Sequence, residues 1–158
     1  SQSYLSQIER GIVNPSVVAL QKIAVSLGLP TAYFFESEEH PKSKNGSVGV
    51  VRKSERKGLV YPGSNILYQL LSPDLQGKIE FLMITAPPGS SSGDEPFVHE
   101  GQECGVILQG KMEVWVGDVK YVLTEGDSIY FSSSSPHSWH NCGETELIAV
   151  WAVTPPSF

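Results

Sequence analysis

The chain has 158 residues and a net charge of −6, which leaves room for one medium domain or two small ones. No apolar run approaches the length of a membrane span and no signal pattern opens the chain, so membrane and secretory classes are excluded and a cytoplasmic location is expected. Its two cysteines, Cys104 and Cys142, are too few for a disulfide scaffold, lack zinc-site spacing, and are expected to be small, buried apolar side chains.

Residues 1–35 read as helical. Leu5, Ile8 and Ile12 share a face at i, i+3, i+7 spacing, and Gly11 supplies a left-handed stop. Asn14-Pro15-Ser16 forms a turn that ends in an N-cap residue. Leu20, Ile23, Ala24 and Leu27 then repeat at helical spacing, Gly28 closes that helix, and Pro30 starts a short third one carrying Tyr33, Phe34 and Phe35. Residues 36–47 have no apolar periodicity and read as a polar linker, with His40 solvated.

From Val48 onward the pattern changes to short β-type runs at 48–52, 66–71, 78–86, 104–109, 112–116, 119–123, 128–131, 138–140 and 146–153. Glycine-, proline- and aspartate-bearing turns punctuate them, which implies a β-sandwich or barrel. Charge follows the same division. Residues 1–60 hold 8 Lys/Arg against 5 Asp/Glu, net +3, whereas residues 61–158 hold 3 Lys against 12 Asp/Glu, net −9. Two parts with different partners are expected.

In the first part, one helix face carries Gln and Ser, short side chains that can hydrogen-bond base edges. The stretch Leu5-Ser6-Gln7-Ile8-Glu9-Arg10-Gly11, followed by Asn14-Pro15-Ser16 and Leu20-Gln21-Lys22-Ile23-Ala24, resembles the second half of the Cro/repressor-like helix-turn-helix domain, the XRE family. The resemblance implies a recognition helix, a turn and a packing helix. It also implies base contacts from Gln2, Ser3 and Gln7 and phosphate contacts near Arg10, Asn14 and Ser16. The family's domain begins with two further helices, so residues 1–35 are expected to be a partial domain that binds DNA poorly by itself.

In the second part, His99 and Glu103 are four residues apart, a spacing that puts both on one face of a strand, and His137 follows after several strands. Two imidazoles and a carboxylate form the facial set suited to Fe(II), with Mn, Ni or Zn also compatible. A metal-free pocket is the other reading, with the three residues bonded to each other or to a small molecule. His140 is expected on the opposite face from His137. Met83, Phe97, Tyr130 and Trp139 are candidate apolar walls of an effector pocket beside these three.

These residues resemble the two motifs of the cupin superfamily. The first reads Phe97-Val98-His99-Glu100-Gly101-Gln102-Glu103 before Gly110, with Phe97 in place of the first histidine. The second reads Gly126-Asp127 and then His137 and Asn141, with Ser132 and Ser134 at its proline and glycine positions. The resemblance spans roughly residues 61–153.

The expected fold class is α+β multidomain: a partial all-α helix-turn-helix at 1–35, a linker and first strand at 36–60, and an all-β cupin (double-stranded β-helix, or jelly-roll) barrel at 61–158. The expected function is that of a homodimeric, DNA-binding transcriptional regulator and not an enzyme. Its cupin would bind a small effector of the amine, polyamine or amino-acid class and tune binding to a double-stranded operator. No cofactor is required, though a divalent metal (Zn, Fe, Mn or Ni) fits the His99, Glu103, His137 set. The alternative is a mononuclear non-haem iron cupin enzyme, epoxidase- or oxygenase-like, behind a helix-turn-helix segment.

Overall fold

In the computed structural model, the described residues are 2–13, 23–24, 26–27, 48–60, 65–75 and 77–156. Two compact units divide the chain, one of Ser1–Glu38 and one of Glu39–Ser157. No helix among the described residues is long and apolar enough to cross a membrane.

In the first unit, helix α1 spans Gln2–Glu9. Its end follows from Gly11, at φ +65°, a left-handed conformation open to glycine. The Ile12 N–H then donates to the Gln7 carbonyl at 2.9 Å and the Gly11 N–H to that of Ile8 at 2.9 Å, which is the Schellman stop. Leu5 is 42% and Ile12 63% exposed, and no residue of α1 is buried. Residues 23–24 and 26–27 are helical, in keeping with the second expected helix. The 14–16 turn, the third helix and the polar linker lie outside the described residues.

Among the described residues of the second unit, nine strands build two antiparallel sheets. They are β1 (Gly58–Val60), β2 (Leu67–Leu70), β3 (Glu80–Ala86), β4 (Gln102–Gln109), β5 (Lys111–Val116), β6 (Val119–Thr124), β7 (Ser128–Ser132), β8 (His137–Asn141) and β9 (Leu147–Thr154). One sheet has the order β1-β2-β3-β9-β4-β7, the other β6-β5-β8. The fold is a two-sheet β jelly-roll, the architecture that the motif resemblance implied.

Residues 48–52, expected as a strand, are not one: Val48 and Val50 stand exposed, and the sheet edge beside β2 is taken by β1 instead. A short 3-10 helix, Lys53–Glu55, intervenes.

Strict side-chain alternation sorts the residues of the large sheet. On β9, Leu147, Ala149, Trp151 and Val153 are buried, and on β3, Glu80, Leu82, Ile84 and Ala86. These inward rows meet Met112 and Val114 of β5 to form the core. A bulge interrupts β4. Ile107 pairs with Ala149 and Gln109 with Ile148, so Leu108 is one residue too many for the ladder and projects 45% exposed.

Turn chemistry agrees with the motif residues. The Asp127 carboxylate accepts from the Thr124 N–H at 2.8 Å and its hydroxyl at 2.9 Å, closing the β6–β7 turn. Asn141, fully buried, donates to the carbonyls of Ala86 and Thr145 and accepts from the Gly143 N–H, tying the β8–β9 connection to the end of β3.

Candidate functional site

The segment preceding β4 and the turn preceding β8 bring three ionisable residues together. Phe97 and His137 exchange two backbone hydrogen bonds, the Phe97 N–H to His137 O at 2.7 Å and the His137 N–H to Phe97 O at 2.9 Å. The His99 N–H donates to Ser133 O at 3.0 Å, and the Ser133 N–H to Gly101 O at 3.0 Å. These bonds pin the 97–101 segment beside β8. Gly101 then turns the chain into β4 at φ +111°, where a Cβ would fall 1.9 Å from the Thr154 carbonyl oxygen. His99 therefore sits in the irregular segment ahead of β4, not on a strand face as its spacing suggested. Glu103 is the second residue of β4 and points inward.

The geometry is tight. His99 Nε2 lies 2.8 Å and His137 Nε2 3.0 Å from Glu103 Oε1, and the Ser133 hydroxyl donates to the same oxygen at 3.3 Å. The other oxygen, Oε2, accepts from the Trp151 indole N–H at 2.7 Å. Glu103 and His137 are buried, and His99 is half-buried. Burial pushes the Glu103 carboxyl up, but the hydrogen bonds from His137, His99 and Trp151 outweigh it and bring it down to about 2. The bond to Glu103 raises His99 above its ordinary 6.5, against the opposing effect of burial.

The tautomers follow from the other ring nitrogens. His99 Nδ1 lies 3.1 Å from the Glu100 carbonyl and His137 Nδ1 2.9 Å from that of Ser135. A carbonyl only accepts, so each Nδ1 carries a hydrogen. Each Nε2 then holds a second proton, as an imidazolium, or turns a lone pair toward the carboxylate. Both arrangements call for positive charge between these atoms, and a divalent cation supplies it as well as protons do. Carbonyl-anchored Nδ1–H groups are also the outer-shell support of metal-ligating histidines. The ligand atoms of His99, Glu103 and His137 lie within 4.8 Å of one another, so the donor set fits a divalent metal.

Aromatic rings surround the set. Phe131 lies 5.1 Å and Phe97 6.1 Å from the His137 ring, centroid to centroid, and Phe131 lies 6.5 Å from Trp151. Of the four expected pocket walls, Phe97 is beside the site. Trp139 pairs with the buried Val114, which turns it to the inner side of β8. Met83 and Tyr130 do not join them, and the expectation for these two is corrected. Met83 lies between the inward Leu82 and Ile84, on the outer side of β3, and the Arg56 guanidinium reaches its sulfur at 3.4 Å. Tyr130 pairs with Cys104 on the outer side and is 66% exposed. Cys104 is itself exposed, contrary to the buried position expected of it. His140 pairs with Glu113 on the outer side of β8, opposite His137, as expected.

Trp151, Ser133 and Glu80 escape a reading by motif alone. One sequence signal did point at Trp151: a glycine within an apolar strand marks a close approach, and Gly105 pairs with Trp151. A Cβ on Gly105 would fall 1.9–2.5 Å from the indole ring, so the bare backbone is what lets the ring lie over β4 and reach Glu103. Glu80 is fully buried on β3. Glu80 and Glu103 flank Val153 in one inward row across β3, β9 and β4.

On α1, Gln2, Ser3 and Arg10 are exposed and Gln7 is half-buried, and Arg10 Nε donates to the Ser6 carbonyl at 3.0 Å. Asn14 and Ser16 lie outside the described residues.

Comparison with known proteins agrees with both halves. Residues 82–153 match the cupin domain and residues 1–34 the helix-turn-helix. The chain thus joins an XRE-type helix-turn-helix to a cupin, which makes it a DNA-binding protein of the transcription-regulator class. More particularly, it is similar to the HTH-type transcriptional regulator PuuR of Escherichia coli (strain K12), with 28% identity over 160 residues, covering 100% of this chain and 83% of that one. SutR of the same organism, also an HTH-type transcriptional regulator, is 26% identical over 144 residues, covering 91% of this chain and 74% of its own. A solved HTH_3 family transcriptional regulator from Vibrio cholerae superposes with a TM-score of 0.71 at 26% identity, over 99% of this chain and 81% of that one. Both of these curated relatives and this solved structure are transcriptional regulators.

Proposed function

We propose that the cupin barrel is the sensor of this regulator and that it binds a small cationic or zwitterionic effector, an amine, polyamine or amino acid. The observation that carries this reading is the charge of the barrel interior. Two buried carboxylates, Glu80 and Glu103, face inward, while no lysine or arginine occupies an inward strand position among the described residues. Two strand intervals separate their backbones by about 10 Å, a span suited to a small molecule with a positive group at one end. Phe97 and Phe131 supply apolar surface for its body.

His99, Glu103 and His137 would hold a divalent metal, which when bound supplies a Lewis-acid anchor for one donor atom of the effector. The chain's own residues do the rest. The Glu100 and Ser135 carbonyls orient the two rings, and Trp151 fixes the carboxylate.

The regulator acts as a homodimer that sets two α1 helices on a pseudo-palindromic operator, with Gln2, Ser3 and Gln7 toward base edges and Arg10, Asn14 and Ser16 toward phosphates. The effector shifts DNA binding only to the extent that it binds two conformations with different affinity. Thermal shift against a panel of amines, polyamines, amino acids and simple carboxylates, followed by gel shift on genomic operator fragments, tests the reading. Stabilisation by cationic or zwitterionic compounds alone, with a matching change in DNA affinity, is expected. Stabilisation by carboxylates alone, absence of sequence-selective DNA binding under every condition, or oxygen uptake by the Fe(II)-loaded protein would overturn it.

A further inference from the structure

Positive charge is concentrated in one short stretch of the chain. Residues 1–51 hold 4 Lys/Arg against 4 Glu, net 0, and residues 58–158 hold 3 Lys against 12 Asp/Glu, net −9. Between them, Arg52-Lys53-Ser54-Glu55-Arg56-Lys57 sets four cations against one carboxylate, net +3. These residues belong to the barrel unit and are built onto it. Lys53–Glu55 form a 3-10 turn, closed by the Glu55 N–H on the Arg52 carbonyl at 2.8 Å. The Lys57 carbonyl accepts from the Leu70 N–H of β2 at 2.8 Å. Arg56 lays its guanidinium on the outer side of β3, with Nη1 3.4 Å from Met83 Sδ. The one acid of the segment is turned to the backbone, its carboxylate accepting from the Arg52 N–H at 3.4 Å. Among the described residues, none of the four cations is in an ion pair, and Arg52 and Lys53 are exposed.

We propose that Arg52 and Lys53 form a second DNA contact, carried by the barrel unit and directed at backbone phosphates, with Arg56 and the Lys57 backbone mooring them. The proposal rests on the regulator reading above and adds a surface to it. Charge selects the partner. Phosphate neutralisation supplies the sequence-independent part of DNA affinity, and residues 1–51 have no net charge to supply it. The net −9 of residues 58–158 opposes approach to a polyanion. Cations at the start of the barrel unit offset that repulsion at the point of the unit nearest in sequence to the helix-turn-helix. Reach is adequate. Residues 36–51 separate the helical segment from the patch and span at most about 55 Å, roughly one and a half turns of duplex. An unpaired arginine and lysine donate to phosphate oxygens without reading sequence, so the contact adds affinity and not selectivity.

Fluorescence anisotropy with labelled operator and unrelated duplexes, repeated across salt concentrations, tests this on the full-length protein. Each phosphate contact contributes about 0.9 to the slope of log K against log salt. The double substitution Arg52→Gln and Lys53→Gln, confirmed folded by circular dichroism, is expected to lower the magnitude of that slope by about 2. Both duplexes are expected to bind more weakly by the same factor, on the order of 10- to 100-fold at about 0.1 M salt. The ratio of operator to unrelated affinity is expected to hold. Lys111→Gln removes an exposed cation of β5 and is expected to leave the slope unchanged. An unaltered slope in the double variant, or a loss confined to the operator, overturns the proposal and leaves the regulator reading standing. Dissociation of the dimer by the double variant, seen in sedimentation velocity, would give the patch to the acidic surface of a second copy and overturn it as well. Absence of DNA binding by the unsubstituted protein at every salt concentration overturns both.

Discussion

The indole of Trp151 lies where the side chain of Gly105 would be, and its N–H reaches past that glycine to Glu103 at 2.7 Å. The two residues are cross-strand partners. One has no side chain so that the other can orient the carboxylate. This pair ties the packing of the large sheet to the chemistry of the barrel.

Gly105→Ala is expected to cost about 1–3 kcal/mol, the usual range for overpacking, because the clash is with the body of a ring between strands. Denaturant unfolding measures that loss. Affinity for Zn(II) or Ni(II), read by titration calorimetry, is expected to fall as well, since a displaced indole no longer holds Oε2. Unchanged affinity in a folded Gly105→Ala protein would disconnect the pair from the site.

Trp151→Phe keeps most of the ring and removes the N–H. Glu103 Oε2 is then buried without that donor, at a cost of about 1–3 kcal/mol. Its carboxyl is expected to titrate above its present value of about 2. Carboxyl resonances followed by NMR through an acid titration of metal-free protein check this, and a value still near 2 would count against the bond's importance.

The pH dependence of stability has two limbs in metal-free protein. Glu103 is lowered from 4.5 to about 2, so its contribution is full above 4.5 and is lost as pH falls toward 2. His99 is raised above 6.5, so its contribution is full below 6.5 and is lost as pH rises through the raised value. From this pair, stability is expected to be greatest between 4.5 and 6.5. Glu103→Gln is expected to flatten both limbs in a thermal-melt series run with chelator, and an unaltered profile would refute the coupling.

Phe97 stands beside His137 through backbone bonds that do not depend on its side chain. Phe97→His is therefore expected to keep the fold and add a fourth donor, raising affinity for Zn(II) or Ni(II) on the order of 10-fold or more. Glu103→Ala is expected to abolish binding. Equal affinity in all three proteins would place the metal elsewhere.

On the DNA side, Gln2→Ala is expected to cost about 1–3 kcal/mol at one base position without changing stability, since Gln2 is exposed. Arg10→Ala is expected to weaken all sequences alike and to lower the salt dependence of binding. Gel shifts at several salt concentrations separate the two. A sequence-selective loss at Arg10 would reverse the assigned roles.

Much of the barrel was legible because alternation and turn chemistry are local. Eight of the nine expected runs coincide with strands, and His99, Glu103 and His137 do converge. Position 48–52 misled because two exposed valines at alternate spacing look like half a strand. Met83 and Tyr130 were misplaced for a different reason. Both are apolar residues in strands, but which side they occupy is set by parity relative to Leu82 and Phe131, and composition does not reveal parity when both sides are apolar. Trp151 and Glu80 act through partners distant in sequence, so spacing alone does not mark them.

The bulge at Leu108 has a genetic consequence. Adding or deleting a single codon in β4 ahead of Glu103 would rotate that carboxylate out of the barrel and bring Gln102 or Cys104 in. The same lesion at the bulge falls after Glu103, the ligand that β4 carries, and at a place where the ladder already tolerates an unmatched residue. Length variation among relatives is therefore expected to gather at 108 and in the turns, and to be absent from 99–107.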